Sequence, residues 1–155
     1  MKNALRCLIL LGLSTAPANA VCLLGMGDCV PTDTQAASLF NGIVNKAINQ
    51  PVGWSYDFHK TNGRSSGSRG PERYALEYVA TLEFKSPLIP AKFDWCGKYL
   101  GPGDCQQRGE ILMQIVPANL MQSNAPFQPP KVTVSGYLMF VRTEQGWQYA
   151  PDLGL

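Results

Sequence analysis

The chain has 155 residues, 13 Lys+Arg against 11 Asp+Glu, and 45% hydrophobic residues. That is ample apolar material for one packed domain and far too little charge for a disordered chain. The formal charge of +2 excludes a strongly basic nucleic-acid or membrane-surface binder on composition alone.

The first twenty residues have the pattern of a secretory leader. Lys2 and Arg6 are followed by an apolar run, Cys7 to Leu13, too short to span a bilayer, and by an A-x-A cleavage signal at Ala18-Asn19-Ala20. The expected organisation is a signal peptide over 1–20 and a single disulfide-stapled α+β domain over 21–155, secreted or periplasmic. A lipoprotein anchored at Cys22 is the weaker alternative, because Asn19 and Val21 suit the residues before a lipidated cysteine poorly. No other stretch is apolar enough to cross a membrane. Lys2 and Arg6 depart with the leader, so 11 basic residues face 11 acidic ones in the remainder. The slight positive charge therefore points to no anionic partner, and nothing indicates nucleic acid.

Removal of Cys7 leaves Cys22, Cys29, Cys96 and Cys105, an even set in an exported chain. Leu-Gly-x-Gly-Asp-Cys ends both Cys22–Cys29 and Cys96–Cys105, the same short loop found twice. Local pairing, 22 with 29 and 96 with 105, is the favoured arrangement. A metal site is the rival, but the spacings do not match zinc Cys pairs, and no metal or cofactor is expected.

Thr32 to Gln35 forms a capping-box pattern, and Ala36, Leu39, Phe40, Ile43, Val44, Ala47 and Ile48 follow at helical spacing until Pro51. The pattern predicts a helix over about 34–50. Trp54, Tyr56 and Phe58 alternate with polar residues as a short strand over 54–59. Lys60 to Pro71 holds no hydrophobic residue and predicts a flexible hairpin tip. Its neighbourhood of Lys60, Arg64, Arg69 and Arg73 is a candidate anion-binding loop.

Arg73 to Lys85 alternates strictly, with Tyr74, Leu76, Tyr78, Ala80, Leu82 and Phe84 on one side. At about 3.3 Å per residue it would reach roughly 43 Å, so a bend or bulge is expected. Ser86 to Gln107 predicts a long connection whose Phe93, Trp95, Tyr99 and Leu100 tuck against the sheet. Glu110 to Val116, apolar on both faces, predicts a central strand covered on both sides. After a Pro-rich loop, Lys131 to Thr143 alternates again, with Gly136 suggesting a bulge. Glu144-Gln145-Gly146 turns the chain into a return strand at Trp147 and Tyr149, closed by Pro151. The fold class is α+β, one N-terminal helix on a curved antiparallel sheet of about five strands.

The ending V-S-G-Y-L-M-F-V-R-T-E-Q-G-W, Val134 to Trp147, resembles the last hairpin of cystatin-like or NTF2-like domains. The resemblance implies a bent sheet wrapping a helix. It does not carry protease inhibition, because the cystatin Gln-x-Val-x-Gly motif is matched only by V-T-V-S-G at Val132 to Gly136, without the glutamine. The superfold hosts many activities, so topology gives no function.

Two function classes follow. The first is a non-catalytic binding module of the envelope or extracellular space, its partner a protein there. The second is an NTF2-like ligand carrier or enzyme with a pocket between helix and sheet, lined by Trp54, Tyr56, Tyr78 and Trp147, with Asp57 or His59 as the polar group. His59 is the single histidine; with Asp57 it forms an edge-strand hydrogen bond more readily than an acid–base pair. No nucleophile motif, phosphate loop or telling pair of acids occurs, so no catalytic residue is assigned. Glu77 and Glu83 fall on the polar side of the sheet.

Overall fold

The architecture is described from a computed structural model over residues 30–67, 72–95 and 102–153, without the side chains of residues 102–104 and 152–153. The segment expected as a leader, Cys22, Cys29, Arg69, Cys96, Tyr99 and Leu100 lie outside the described residues.

Helix α1 spans Asp33–Ile48 and begins at a complete capping box. Thr32 Oγ1 accepts from Gln35 N–H at 3.2 Å, and Gln35 Oε1 accepts from Thr32 N–H at 3.0 Å. Asn49 ends the helix in the left-handed region, φ 47°, a conformation asparagine tolerates better than most residues. Ala36, Phe40, Ile43, Val44, Ala47 and Ile48 are buried, the stripe that helical spacing requires.

Strands β1 (Trp54–Ser66), β2 (Arg73–Phe84), β3 (Val132–Thr143) and β4 (Gly146–Tyr149) form one antiparallel sheet in the order β1-β2-β3-β4. The even-numbered residues Tyr74 to Phe84 of β2 are all buried. In register with them on β3 stand Val132, Val134, Gly136, Leu138 and Phe140, so one continuous face carries the core under α1.

Four expectations change. The sheet has four strands rather than five, and the segment expected as a central strand, Glu110 to Val116, lies in a second helix, α2 (Pro102–Ile115), and the residue that follows it. Ile111, Leu112, Ile115 and Val116 are buried while Met113 is 57% exposed. That is one helical face, and Met113 breaks the two-sided burial a central strand needs. The third change is at the supposed flexible tip. β1 continues through Lys60 to Ser66, because β2 is long enough to pair with it as far as Ser66 opposite Arg73. Backbone pairing thus carries a stretch that has no apolar residues of its own. The ladder slips between Lys60 and Asn62, so the bulge falls in β1. β3 runs through Gly136 without one.

Gly136 serves a different need. A Cβ there would stand 2.9 Å from Tyr78 Oη, so the missing side chain makes room for the tyrosine ring across the strand. Gly63 does the same for Tyr74, whose hydroxyl and ring carbon a Cβ would overlap.

Helix α2 packs on α1 and on β3. Its Arg108 is buried, with Nη1 2.6 Å from Asp94 Oδ2. Among the described residues no helix is long and apolar enough to cross a membrane.

Candidate functional site, a groove between α1 and the β3–β4 hairpin

Gln35, Leu39, Gly42 and Lys46 recur at helical intervals along the flank of α1 that faces the β3–β4 hairpin. Opposite them stand Phe140, Trp147 and Tyr149, and Phe140 and Tyr149 are register partners. Between the two walls opens a groove of ≈ 530 Å³. Ile43 and Phe140 form buried floor, Trp147 rests on the Tyr74 ring at 5.9 Å, and Thr34 and Ser38 edge the helix side. Gly42 keeps the middle open, since a Cβ there would meet nothing within 4 Å. Among the described residues Lys46 is the one charged side chain of the lining, and as a last-turn residue its cation also suits the C-terminal end of the helix dipole.

Of the expected pocket residues, only Trp147 lines this groove. Trp54, Tyr56 and Tyr78 fill the opposite flank of α1. The Phe40 ring lies 6.0 Å from Tyr56, 5.5 Å from Phe58 and 5.0 Å from Tyr78. Trp54 Nε1 donates to Asn45 Oδ1 at 2.9 Å, which pins the indole to the helix. These aromatics pack helix to sheet.

Asp57 and His59 are 3.0 Å apart and largely exposed. They lie on the other face of the sheet from Tyr56 and Phe58, as strand alternation demands. They therefore cannot serve a pocket under α1.

The basic cluster is dispersed as well. Lys60 Nζ stands 5.3 Å over the Tyr74 ring, and Arg64 pairs with Glu77 at 3.2 Å on the opposite face. Arg73 lines a separate hollow of ≈ 210 Å³ with Gln106, Gln107, Tyr137 and Met139. Arg69 lies outside the described residues.

Burial, and secondarily the Glu110 carboxylate, pushes the Tyr78 hydroxyl well above the usual tyrosine range. Tyr78 is therefore a neutral wall of the core across the physiological range. Among the described residues no three or more His, Cys, Asp or Glu side chains gather as a metal site.

Sequence reasoning overlooked the glutamines. Gln107 donates to Tyr137 O at 2.9 Å and accepts from Tyr149 Oη. Gln50 exchanges two hydrogen bonds with the Ile89 backbone, 3.0 and 2.9 Å. Gln128 donates to Phe84 O at 2.8 Å. No local pattern marks a glutamine that will meet a distant backbone. Leu39, Gly42 and Lys46 were legible as helix positions but not as a wall, because the wall exists only once β3–β4 lies beside them.

Comparison with protein-family models, with curated proteins and with solved structures finds no match to this chain.

Proposed function

We propose that the protein is an exported, non-catalytic binding module, secreted or periplasmic, that seats an amphipathic acid in the groove along α1. One arrangement supports the reading: an apolar trough of Leu39, Ile43, Phe140, Trp147 and Tyr149 that, among the described residues, has Lys46 as its one charged lining side chain. An alkyl chain laid in such a trough gains about 0.8 kcal/mol per buried CH2, and a carboxylate or phosphate at its end meets the ammonium. The volume lies in the range of small-molecule sites. An envelope or extracellular protein that supplies or receives the ligand belongs to the same reading. So does local pairing of Cys22 with Cys29 and Cys96 with Cys105, the first ahead of α1 and the second joining the segment before α2 to its first turn. The NTF2-like alternative, a ligand carrier or enzyme whose pocket of Trp54, Tyr56, Tyr78 and Trp147 uses Asp57 or His59 as its polar group, has less support, since Asp57 and His59 lie across the sheet.

Calorimetric titration with dodecanoate, kept below its micelle concentration, tests the reading. Saturable 1:1 binding is expected, weakened roughly two- to fivefold by Lys46→Ala. Gly42→Phe should abolish it, because Gly42 lines the groove, a Cβ there meets nothing within 4 Å, and the added ring takes up ligand space. Absence of saturable binding, or binding indifferent to Gly42→Phe, overturns the proposal.

A further inference from the structure

The two long borders of the sheet are finished differently. Beyond the short β4, the outer edge of β3 is met by side chains: Gln114 bonds to the N–H and C=O of Ser135, and Gln107 to the C=O of Tyr137. β1 is the other border. Gly53 O accepts from Lys85 N–H at 2.8 Å, so Gly53 faces β2. Alternation then aims the N–H and C=O groups of Trp54, Tyr56, Phe58 and Lys60 away from the sheet. Carried across β2, the same phase turns Ser135 and Tyr137 outward from β3, which is where the glutamines find them. Among the described residues no hydrogen bond reaches the outward backbone groups of Trp54, Tyr56, Phe58 or Lys60. A long unprotected border is a template for another strand.

We propose that this border pairs with the same border of a second copy, antiparallel about a two-fold axis at Phe58. Outward groups must meet outward groups, so the axis must pass through a residue and not between two. An axis at Asp57 would set Asp57 against its own counterpart. One at His59 would set histidine against histidine and place Asp57 opposite the uncharged Thr61. The axis at Phe58 sets Asp57 of each copy opposite His59 of the other. These are non-hydrogen-bonded positions, where facing side chains approach most closely. Tyr56 then faces Lys60 of the other copy, and the two Phe58 rings meet on the core side. Asp57 and His59 are the exposed, complementary pair this register needs, 73% and 69% accessible in the single chain. The surface is thus self-complementary, as a two-fold contact must be, and it is independent of the groove.

Sedimentation velocity over a concentration series of the exported protein tests the pairing. A reversible monomer–dimer equilibrium is expected. His59→Glu sets acid against acid twice and should raise the dimer dissociation constant about tenfold or more. Adding Asp57→Lys restores opposite charges across the axis at Phe58, and should return the constant to within about threefold of the parent. In a register centred on Asp57 the same change would set lysine against lysine. Far-UV circular dichroism should be unchanged in both variants, because neither side chain enters the core. A monomer at every concentration, a dimer insensitive to His59→Glu, or a charge swap that fails to restore it overturns the proposal.

Discussion

Gln114 pairs with Ser135 in both directions: its Oε1 accepts from the Ser135 N–H at 2.9 Å, and its Nε2 donates to the Ser135 carbonyl at 3.0 Å. A side-chain amide here stands in for the peptide of a missing neighbouring strand, because β4 pairs only with Phe140 to Thr143. Gln114→Glu keeps an acceptor but loses the donor and turns a carboxylate toward the Ser135 carbonyl. The expected loss is about 1 kcal/mol, modest because the bonds are solvent-exposed. Urea unfolding should show a lower midpoint at an unchanged slope, with Gln114→Ala losing no more than the glutamate variant.

How far the sequence anticipated this molecule depended on whether a residue's partner was local. β2 was readable because alternation from Tyr74 to Phe84 is a direct consequence of one buried face. The capping box at Thr32 and Gln35 was readable because the two residues bond each other. β1 beyond Lys60 was not, since its strand character comes from β2 and not from its own side chains. α2 was hidden for another reason. Ile111, Leu112, Ile115 and Val116 fit either period in so short a run, and the Pro and Gly residues upstream disguise its first turns. Pro102 at the first helical position costs little, because that N–H has no intrahelical partner. The placement of Asp57 and His59 was available throughout, because an odd position cannot share a face with Trp54 and Tyr56 on a regular strand. The groove depends on how α1 lies beside β3–β4, which no periodicity encodes.

Gly136→Ala would drive a methyl against Tyr78, 2.9 Å from Oη and 3.2 Å from Cζ. A destabilisation of about 1–3 kcal/mol is expected. Since the hydroxyl is the nearest atom, Tyr78→Phe should relieve part of it, and the double variant should be more stable than the sum of the single changes implies. Gly63→Ala offers the contrast. There the Tyr74 ring carbon is overlapped as well as the hydroxyl, so Tyr74→Phe should give little relief. Chemical denaturation of the two cycles distinguishes the cases.

The buried Tyr78 hydroxyl also makes a statement about alkaline stability. Its folded pKa is raised, by burial first and by Glu110 second. Below the ordinary tyrosine value of about 10, folded and unfolded chains are both protonated and the group is neutral in its effect on the pH profile. Above it, the unfolded chain releases the proton while the folded chain holds it. Stability therefore falls as pH rises beyond about 10 and keeps falling until the folded pKa is reached. Tyr78→Phe should flatten that alkaline limb in unfolding measured at pH 9 to 11, whatever it does to stability at neutral pH. An identical slope in the variant would show that the loss arises elsewhere.

Asp94 joins three parts of the core with one residue. Its N–H donates to Ala47 O at 2.9 Å, near the end of α1, and its carboxylate meets Arg108 of α2 at 2.6 Å. Arg108 is 1% exposed, whereas the Asp94 side chain is 33% exposed. The asymmetry decides the outcome. Asp94→Asn retains the shape and the backbone bond but takes one carboxylate from a buried guanidinium, a change that in fully buried pairs costs about 3–5 kcal/mol. Water at the Asp94 side screens part of this and the other contacts of Arg108 remain, so about 1–3 kcal/mol is expected. Removing the charge on the other side should reverse the penalty. In the Asp94→Asn background, Arg108→Met replaces a buried cation with an apolar chain of similar length, and the double variant should recover at least half of the loss in urea. If Asp94→Asn shifts the unfolding free energy by less than about 0.5 kcal/mol, this ion pair is not what holds α2 to α1, and the buried apolar row of Ile111, Leu112 and Ile115 is the larger contribution.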